Sequence, residues 1–217
     1  MSGYTRPAVP EQVFRDGDGT VIDYGDRWGG GSPPEDTYSL VSHPERFAPL
    51  HLVAEALVAY LAATYDVAVE EAPAVAADVG VPAGDHVVRA VRLTPRAADA
   101  APLTMVLTDD PAVMVHAGLL HDFPFPGCAC DACDATWHSE AEDLEDLVLA
   151  VAEGRYGERL TRRPRSWMEH AVTDRHGDVR SGGQVAHRVP RARRRHARRV
   201  LGRLDGPWRP WPPRDDE

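Results

Sequence analysis

The chain has 217 residues, 43% of them hydrophobic, and a formal net charge of −10, which fits one globular domain with terminal extensions. All its basic residues are arginine, and it contains no lysine or asparagine, so a P-loop lysine, a lysine Schiff base and a Cys–His–Asn triad are excluded. The longest apolar stretch, 50–63, is shorter than the roughly 20 residues that span a bilayer, and no secretory leader is recognised. A cytoplasmic location without membrane partners is therefore expected.

Three segments differ in composition. Residues 1–37 are rich in glycine and proline, as in Gly29–Pro34, and are predicted to form an irregular N-terminal arm. A single α+β domain is expected over residues 38–204. The remaining residues, 205–217, form a tail rich in proline and tryptophan, which is expected to be extended.

Two helices are predicted to flank the centre of the domain. Ser42 and Glu45 have the Ser-x-x-Glu spacing of a capping box, and apolar residues at helical spacing then predict a helix over 44–65. A second apolar stripe, which includes Leu144 and Val148, predicts a helix over 136–153.

Short strands are predicted between and after these helices. Alternating residues over 103–108 indicate a half-buried strand, 112–117 the next one, and 118–127 a loop. Segments 167–173 and 179–180 are predicted to pair as a hairpin. Short strands joined by short turns indicate an antiparallel meander with both helices on one face, hence an α+β fold.

Three cysteines lie within six residues, at Cys128, Cys130 and Cys133, just before the second helix. Such thiols suit a soft ion, with zinc as the candidate cofactor. Zinc takes four ligands in a closed site, and His138 or His121 is expected to supply the fourth. His116, Asp131 and Asp134 are further options for this fourth ligand.

Other interpretations of the cysteines remain open. The thiols can simply pack a tight loop, or the pair Cys130 and Cys133 can carry out redox chemistry at a helix N-terminus. An iron–sulfur cluster is a third alternative. A hydrolase would use Cys128 or Cys130 as its nucleophile, with His116 or His121 as the base.

The stretch 103–153, with Val115–Gly118 and Cys-x-Cys-Asp-Ala-Cys-Asp at 128–134, resembles an uncharacterised actinobacterial family of unknown function. The similarity includes the first helix and covers most of residues 38–155, fading beyond Arg165. It implies a coherent cytosolic domain that contains the cysteine segment, and it transfers no catalytic residue.

An arginine-rich helix is predicted after Pro190. Residues 188–203 hold eight arginines and no acid, and its apolar residues are expected to dock the helix on the domain. These apolar residues are Val189, Ala192, His196, Val200 and Leu204. Its arginines are expected to pair with carboxylates such as those of Glu140–Asp146. Because residues 1–187 carry 14 arginines against 30 acidic residues, nucleic acid is not expected as a partner.

The function that these features favour is a non-enzymatic binding or regulatory module whose cysteine loop holds a structural metal. Its partner would be a protein or a small molecule. The alternative is a thiol-dependent enzyme, redox-active through Cys130 and Cys133 or hydrolytic through a cysteine nucleophile.

Overall fold

The structure is a computed structural model that describes residues 3–82, 84–161 and 166–215. A small antiparallel hairpin, β1 (Phe14–Arg15) and β2 (Val21–Ile22), lies in the N-terminal arm and precedes helix α1 (Pro49–Thr64). A five-stranded antiparallel meander then follows in the order β3-β4-β5-β6-β7. Its strands are β3 Val67–Glu71, β4 Val87–Pro95, β5 Leu103–Thr108, β6 Val113–Ala117 and β7 His121–Phe125.

The second half of the chain adds two helices and a smaller sheet. Helix α2 (Trp137–Ala152) is followed by a three-stranded antiparallel sheet, and helix α3 (Arg191–Leu201) comes last. The strands of this sheet are β8 Tyr156–Thr161, β9 Trp167–Thr173 and β10 Val179–Val185, with β9 in the centre. The predicted α+β fold, with an antiparallel meander, two main helices and a C-terminal helix, is confirmed.

The central strands of the meander are buried on both faces. All six residues of β5 and all five of β6 are buried. Alternate residues, such as Met105 and Val115, face α1 and α2, whereas Val106 and Met114 pack against the short helical segment Pro73–Asp78 on the other face. The prediction of a half-buried strand is therefore wrong, because this segment covers the face that was expected to meet solvent.

The structure corrects the predicted pattern in one loop and adds one strand. Residues 118–127 were expected to form a loop, but His121–Phe125 pairs with β6 as the edge strand β7. Phe-Pro pairs obscure this strand in the sequence, because proline usually argues against a strand. At the edge of a sheet, however, proline is tolerated. Strand β8 was not predicted, whereas the hairpin around residues 174–178 is confirmed, with β10 extending to Val185.

Helices α1 and α2 contact each other and form one side of the main core. Leu50, Leu57 and Leu61 on α1 are fully buried there, as are Leu144 and Val148 on α2. The predicted helical stripes are thus confirmed.

Within the residues that the structure describes, one segment, Pro44–Thr64, is long and apolar enough to cross a membrane by length and composition. At 21 residues it is longer than the apolar stretch 50–63, because a short helical turn, Pro44–Phe47, precedes α1. Its apolar face packs in the core between α2 and the meander. It is therefore part of the core of the fold.

Helix α3 docks partly through the predicted stripe: Val200 and Leu204 pack against the main core, and Val189 packs beside Leu120 and Met168. Ala197 is its fully buried residue and packs near Leu120 and Met168, with Leu201 partly buried beside them. Two residues of the predicted stripe, Ala192 and His196, are exposed.

The arginines of α3 do not pair with the acidic helix α2. Among the described side chains, the α2 carboxylates are bound instead by Arg6, Arg175 and Arg180. The predicted ion pairs between α3 and Glu140–Asp146 are therefore wrong, because arginines of other elements lie closer to that helix.

The proline- and tryptophan-rich segment lies in the core. Trp208 and Trp211 are each 2% exposed. The indole Nε1 of Trp211 donates to the carbonyl of Ala101 at 2.8 Å, and its ring meets Tyr65 edge to face at 5.7 Å. The C-terminal segment thus packs over the C-terminal ends of α1 and α2.

Glu158 on β8 joins this segment to the turn after β6. Its Oε1 accepts hydrogen bonds from the Leu119 N–H at 2.8 Å and from Trp208 Nε1 at 3.2 Å, while its covered Oε2 has no partner among the described residues. Gly118, with φ of 66°, permits this approach, because a Cβ there would overlap the carboxylate. Burial raises the pKa of Glu158 to about 8.

Trp211→Ala is expected to lower the free energy of unfolding by about 3–5 kcal/mol, because it opens a cavity in the core. Trp167, which is 38% exposed, provides the matched control, and Trp167→Ala should cost less than about 1.5 kcal/mol. Urea denaturation of both variants measures the difference. Equal losses would show that the tail does not contribute to the core.

The raised pKa of Glu158 predicts that stability falls as pH rises from about 4.5 to about 8. The folded protein keeps a proton that the unfolded chain releases in this window, so the free energy of unfolding should drop by on the order of 3 kcal/mol. Glu158→Gln mimics the neutral acid and keeps its acceptor oxygen, so it should remove most of this drop.

Urea denaturation between pH 4.5 and 8.5 checks the effect. Glu35→Gln, at an exposed position, is the control and should retain the wild-type dependence on pH. An unchanged dependence in Glu158→Gln would contradict the assignment.

Candidate metal centre

The sulfurs of the three cysteines meet on the loop between β7 and α2. The Sγ of Cys130 lies 3.3 Å from that of Cys128 and 3.4 Å from that of Cys133, and all three lie within 4.8 Å of one another. All three thiols are free. Thiolates bound tetrahedrally at about 2.3 Å from one ion would lie about 3.8 Å apart. The observed spacing therefore suits a single ion.

The loop presents its thiols outward and a carboxylate inward. Cys128 and Cys133 are exposed, whereas Asp131 between them is fully buried. The carboxylate of Asp131 accepts from the N–H and Oγ of Ser42, at 3.1 and 2.5 Å, and pairs with Arg27 at 3.2 Å. Although burial raises the pKa of Asp131, these bonds outweigh it and hold the pKa below its ordinary value. Asp131 thus anchors the loop and is turned away from the thiols.

The role of Ser42 differs from the predicted one. Its hydroxyl donates to Asp131, and neither the turn at Pro44–Phe47 nor α1 has a side-chain cap. The carboxylate of Glu45 instead contacts His43 at 2.9 Å. The predicted capping box is therefore wrong, because Ser42 is used to hold the cysteine loop. The cap that does form is at Thr136, whose side chain accepts from the Ser139 N–H at 3.1 Å to start α2.

Arg46 fixes both ends of the cysteine loop from inside the protein. It is 2% exposed, and its guanidinium donates to the carbonyls of Ala129 at 2.7 Å and Ala135 at 3.3 Å. The same group lies over the rings of Tyr24 and Phe47, at 4.4 and 4.3 Å. Among the described residues it has no carboxylate within ion-pair distance. A buried cation is thus held against the backbone that carries the thiols.

Few features of the sequence point to these supporting residues. Arg46 looks like an ordinary arginine beside an apolar helix, and the only local signal is its position next to Phe47. Arg27 lies in the arm that was expected to be irregular, more than 100 residues from the loop it contacts. Such contacts follow from the tertiary fold and not from local spacing.

The central thiol, that of Cys130, has a lowered pKa. Hydrogen bonds with the thiols of Cys128 and Cys133, followed by those from backbone N–H groups, lower the pKa of Cys130 to about 7. Hydrogen bonds with the thiols of Cys128 and then Cys130, together with burial, raise the pKa of Cys133. A thiolate at Cys130 is a soft ligand and a nucleophile near neutral pH.

The structure places the two predicted histidine ligands in different surroundings. His138 is exposed in the first turn of α2, with its ring 3.7 Å from that of Trp137. His121 is buried on β7, where its Nε2 lies 3.1 Å from the carbonyl of Glu169 and its ring meets His170 at 4.7 Å. Burial lowers the pKa of His121 to about 4. Within the described part of the chain, the group of clustered ligand atoms consists of the three thiols.

The other candidate ligands and bases also have their own partners. The Nδ1 of His116 lies 2.6 Å from the Asp122 carboxylate on the neighbouring strand. Asp134 has a φ of 52° and accepts from the Arg27 N–H at 2.8 Å, so it helps to shape the loop. In this arrangement neither His116 nor His121 lies in the thiol group as a catalytic base would.

Replacing Arg46 is expected to loosen the cysteine loop. Arg46→Met leaves the carbonyls of Ala129 and Ala135 without their donor, which should lower the free energy of unfolding by about 2–4 kcal/mol. The three thiols should then react faster with iodoacetamide in the folded protein. Urea denaturation and mass-spectrometric alkylation rates measure the two effects.

Arg96→Met is the matched control for Arg46→Met, because its side chain is 75% exposed and pairs with Asp66 on the surface. It should cost less than about 1 kcal/mol and leave the alkylation rates unchanged. Thiol rates equal to wild type in Arg46→Met would show that the loop does not depend on this arginine.

Comparison with known proteins gives one match. The family model of DUF6226, a family of unknown function, matches residues 10–215. No curated protein and no solved structure matches the sequence. The match includes the N-terminal hairpin, α3 and the buried tail, so the expectation that the similarity fades beyond Arg165 is wrong. The chain belongs to the DUF6226 family.

Proposed function

We propose that this protein is a metal-binding module in which Cys128, Cys130 and Cys133 hold one thiophilic ion. The observation that carries the proposal is the meeting of three thiol sulfurs within 4.8 Å on the surface. Their loop is anchored from below by Arg46 and Asp131. Such a preorganised loop reduces the conformational entropy lost when an ion binds.

Zinc is the proposed ion. Thiolates favour soft or borderline ions, and zinc binds sets of three cysteines with one further ligand. Of the two predicted fourth ligands, His138 is exposed and five residues from Cys133, whereas His121 is buried and bonded to Glu169. We therefore assign the fourth position to His138 or to a donor from outside the chain.

An exposed three-thiolate site suits exchange of the ion better than permanent structural use. Structural zinc sites are closed by four protein ligands, whereas sites with three protein ligands keep one position open. The proposed role is thus a non-enzymatic regulatory or binding module of the cytosol, where thiols stay reduced. Its partner is a protein or small molecule that responds to the loaded loop.

Thiol redox chemistry is the second candidate function. It is favoured by the 3.4 Å separation of the Cys130 and Cys133 sulfurs on a loop that leads into α2. Oxidation of this pair to a disulfide would release two protons and transfer two electrons to a substrate disulfide. This chemistry needs two cysteines, whereas the metal site needs three.

Cys128→Ser separates the two functions. It removes one thiolate of the metal site and leaves the redox pair Cys130 and Cys133 intact, so it should abolish stoichiometric zinc binding. Wild-type protein should bind one zinc ion and, with Co²⁺ in its place, show thiolate-to-cobalt charge-transfer absorption. Zinc at about 100 times its Kd should raise the free energy of unfolding by about 2.7 kcal/mol.

Elemental analysis, cobalt spectra and titration with glutathione redox buffers check these outcomes. His138→Ala is expected to weaken zinc binding, and His121→Ala is its control. A wild-type protein without metal affinity, with a Cys130–Cys133 disulfide that survives in Cys128→Ser, would contradict the metal proposal and support the redox one.

A further inference from the structure

Five arginines line an open cleft on helix α3. The cleft has a volume of about 780 Å³. It is lined by Ser166, Arg191, Arg194, Arg195, Arg198 and Arg199. No acidic residue lines it within the described part of the chain, so its formal charge is +5. A cleft of this charge attracts anions strongly.

Two arginines of the cleft have buried nitrogens without partners. The Nε atoms of Arg194 and Arg198 are covered from solvent and make no hydrogen bond to any described residue. One terminal nitrogen of Arg198 donates to the Ser166 hydroxyl at 2.8 Å, which fixes this guanidinium at the cleft wall. Buried donors without acceptors are rare in native proteins, and an anion in the cleft would supply the missing acceptors.

The charge distribution within α3 is unfavourable without such an anion. Arg191 and Arg195 are four residues apart, as are Arg194 and Arg198, so like charges face each other along the helix. No acidic residue lies in its first turn, and its N-cap, Pro190, offers no side-chain cap. The positive end of the helix dipole therefore adds to the field of the arginines.

Helix α3 is held in position mainly by contacts outside the cleft. Ala197 and Leu201 pack against the core, and Arg193, outside the cleft, donates to the carbonyl of Asp78 at 2.7 Å. The cleft arginines are thus held in place by apolar packing while their charges remain uncompensated. This arrangement is typical of a binding site and differs from a surface ion-pair network.

We infer that the α3 cleft binds an oligophosphate, a compact ligand with several adjacent phosphate groups. Guanidinium groups bind phosphate oxygens with paired hydrogen bonds. Arg191 and Arg199 are eight residues apart, about 12 Å along the helix, so several phosphates must lie close together to reach all five arginines. A nucleoside triphosphate or inorganic tripolyphosphate has this density of charge.

A compact ligand fits the surroundings better than a duplex. The whole chain has a net charge of −10, so a long polyanion that extends beyond the cleft would meet an acidic surface and be repelled. An oligophosphate stays within the basic cleft. The inference does not involve the cysteine loop and stands apart from the metal proposal.

Isothermal titration calorimetry of the full chain at 150 mM salt tests the inference, with inorganic tripolyphosphate and ATP as probes. One oligophosphate is expected to bind per chain and to raise the Tm. The double variant Arg194→Gln/Arg198→Gln should weaken binding at least tenfold, because each guanidinium–phosphate hydrogen bond is charge-assisted.

Arg96→Gln/Arg159→Gln is the control, since it removes the same charge at side chains that are 75% and 71% exposed. It should bind tripolyphosphate like wild type. Equal weakening in both double variants, no binding of either probe, or binding of a 20-base-pair duplex tighter than tripolyphosphate would overturn the inference.

Discussion

The guanidinium of Arg46 is buried without a carboxylate partner among the described residues, and much of the cysteine region is arranged around it. A buried charge is costly unless hydrogen bonds and polarisable groups surround it. Here the carbonyls of Ala129 and Ala135 and the faces of Tyr24 and Phe47 perform that role. The requirement joins the N-terminal arm, the entry to α1 and the start of α2 at one point. The geometry of the thiols is a consequence of that junction.

In the cysteine loop, the carboxylates and the thiols point in opposite directions. Asp131 and Asp134 turn inward and accept hydrogen bonds from the arm, through Arg27. The thiols turn outward, where an ion can reach them. Because both carboxylate oxygens of Asp131 already have partners, this group does not compete with the sulfurs as a ligand. The loop therefore brings three sulfurs together, and such a ligand set would suit a thiophilic ion better than Mg²⁺ or Ca²⁺.

The sequence predicted the elements whose signal is local and missed those that depend on distant partners. The stripes of α1 and α2 and the cluster of cysteines could be read directly, because helical spacing and ligand spacing are local properties. The capping box at Ser42 failed since Asp131, 89 residues away, takes its hydroxyl. The prediction that β5 is half-buried was wrong because Pro73–Asp78 packs over its second face. Likewise, the predicted ion pairs between α3 and α2 were wrong because arginines of other elements pair with α2 instead. Nothing local in the sequence of α3 indicates this.

The burial of the tail explains how α3 can carry so much uncompensated charge. Trp208 and Trp211 are inserted in the core, and the Arg209 N–H donates to the Asp99 carbonyl at 2.9 Å. These contacts hold the chain directly after α3, while Ala197 and Leu201 hold the helix itself. Apolar contacts thus hold α3 itself, and apolar and backbone contacts hold the segment that follows it. Its mutually repulsive arginines therefore need not contribute to folding. The position of such a helix is fixed while its arginines lack carboxylate partners within the described part of the chain. These charges are therefore available to attract an anionic ligand.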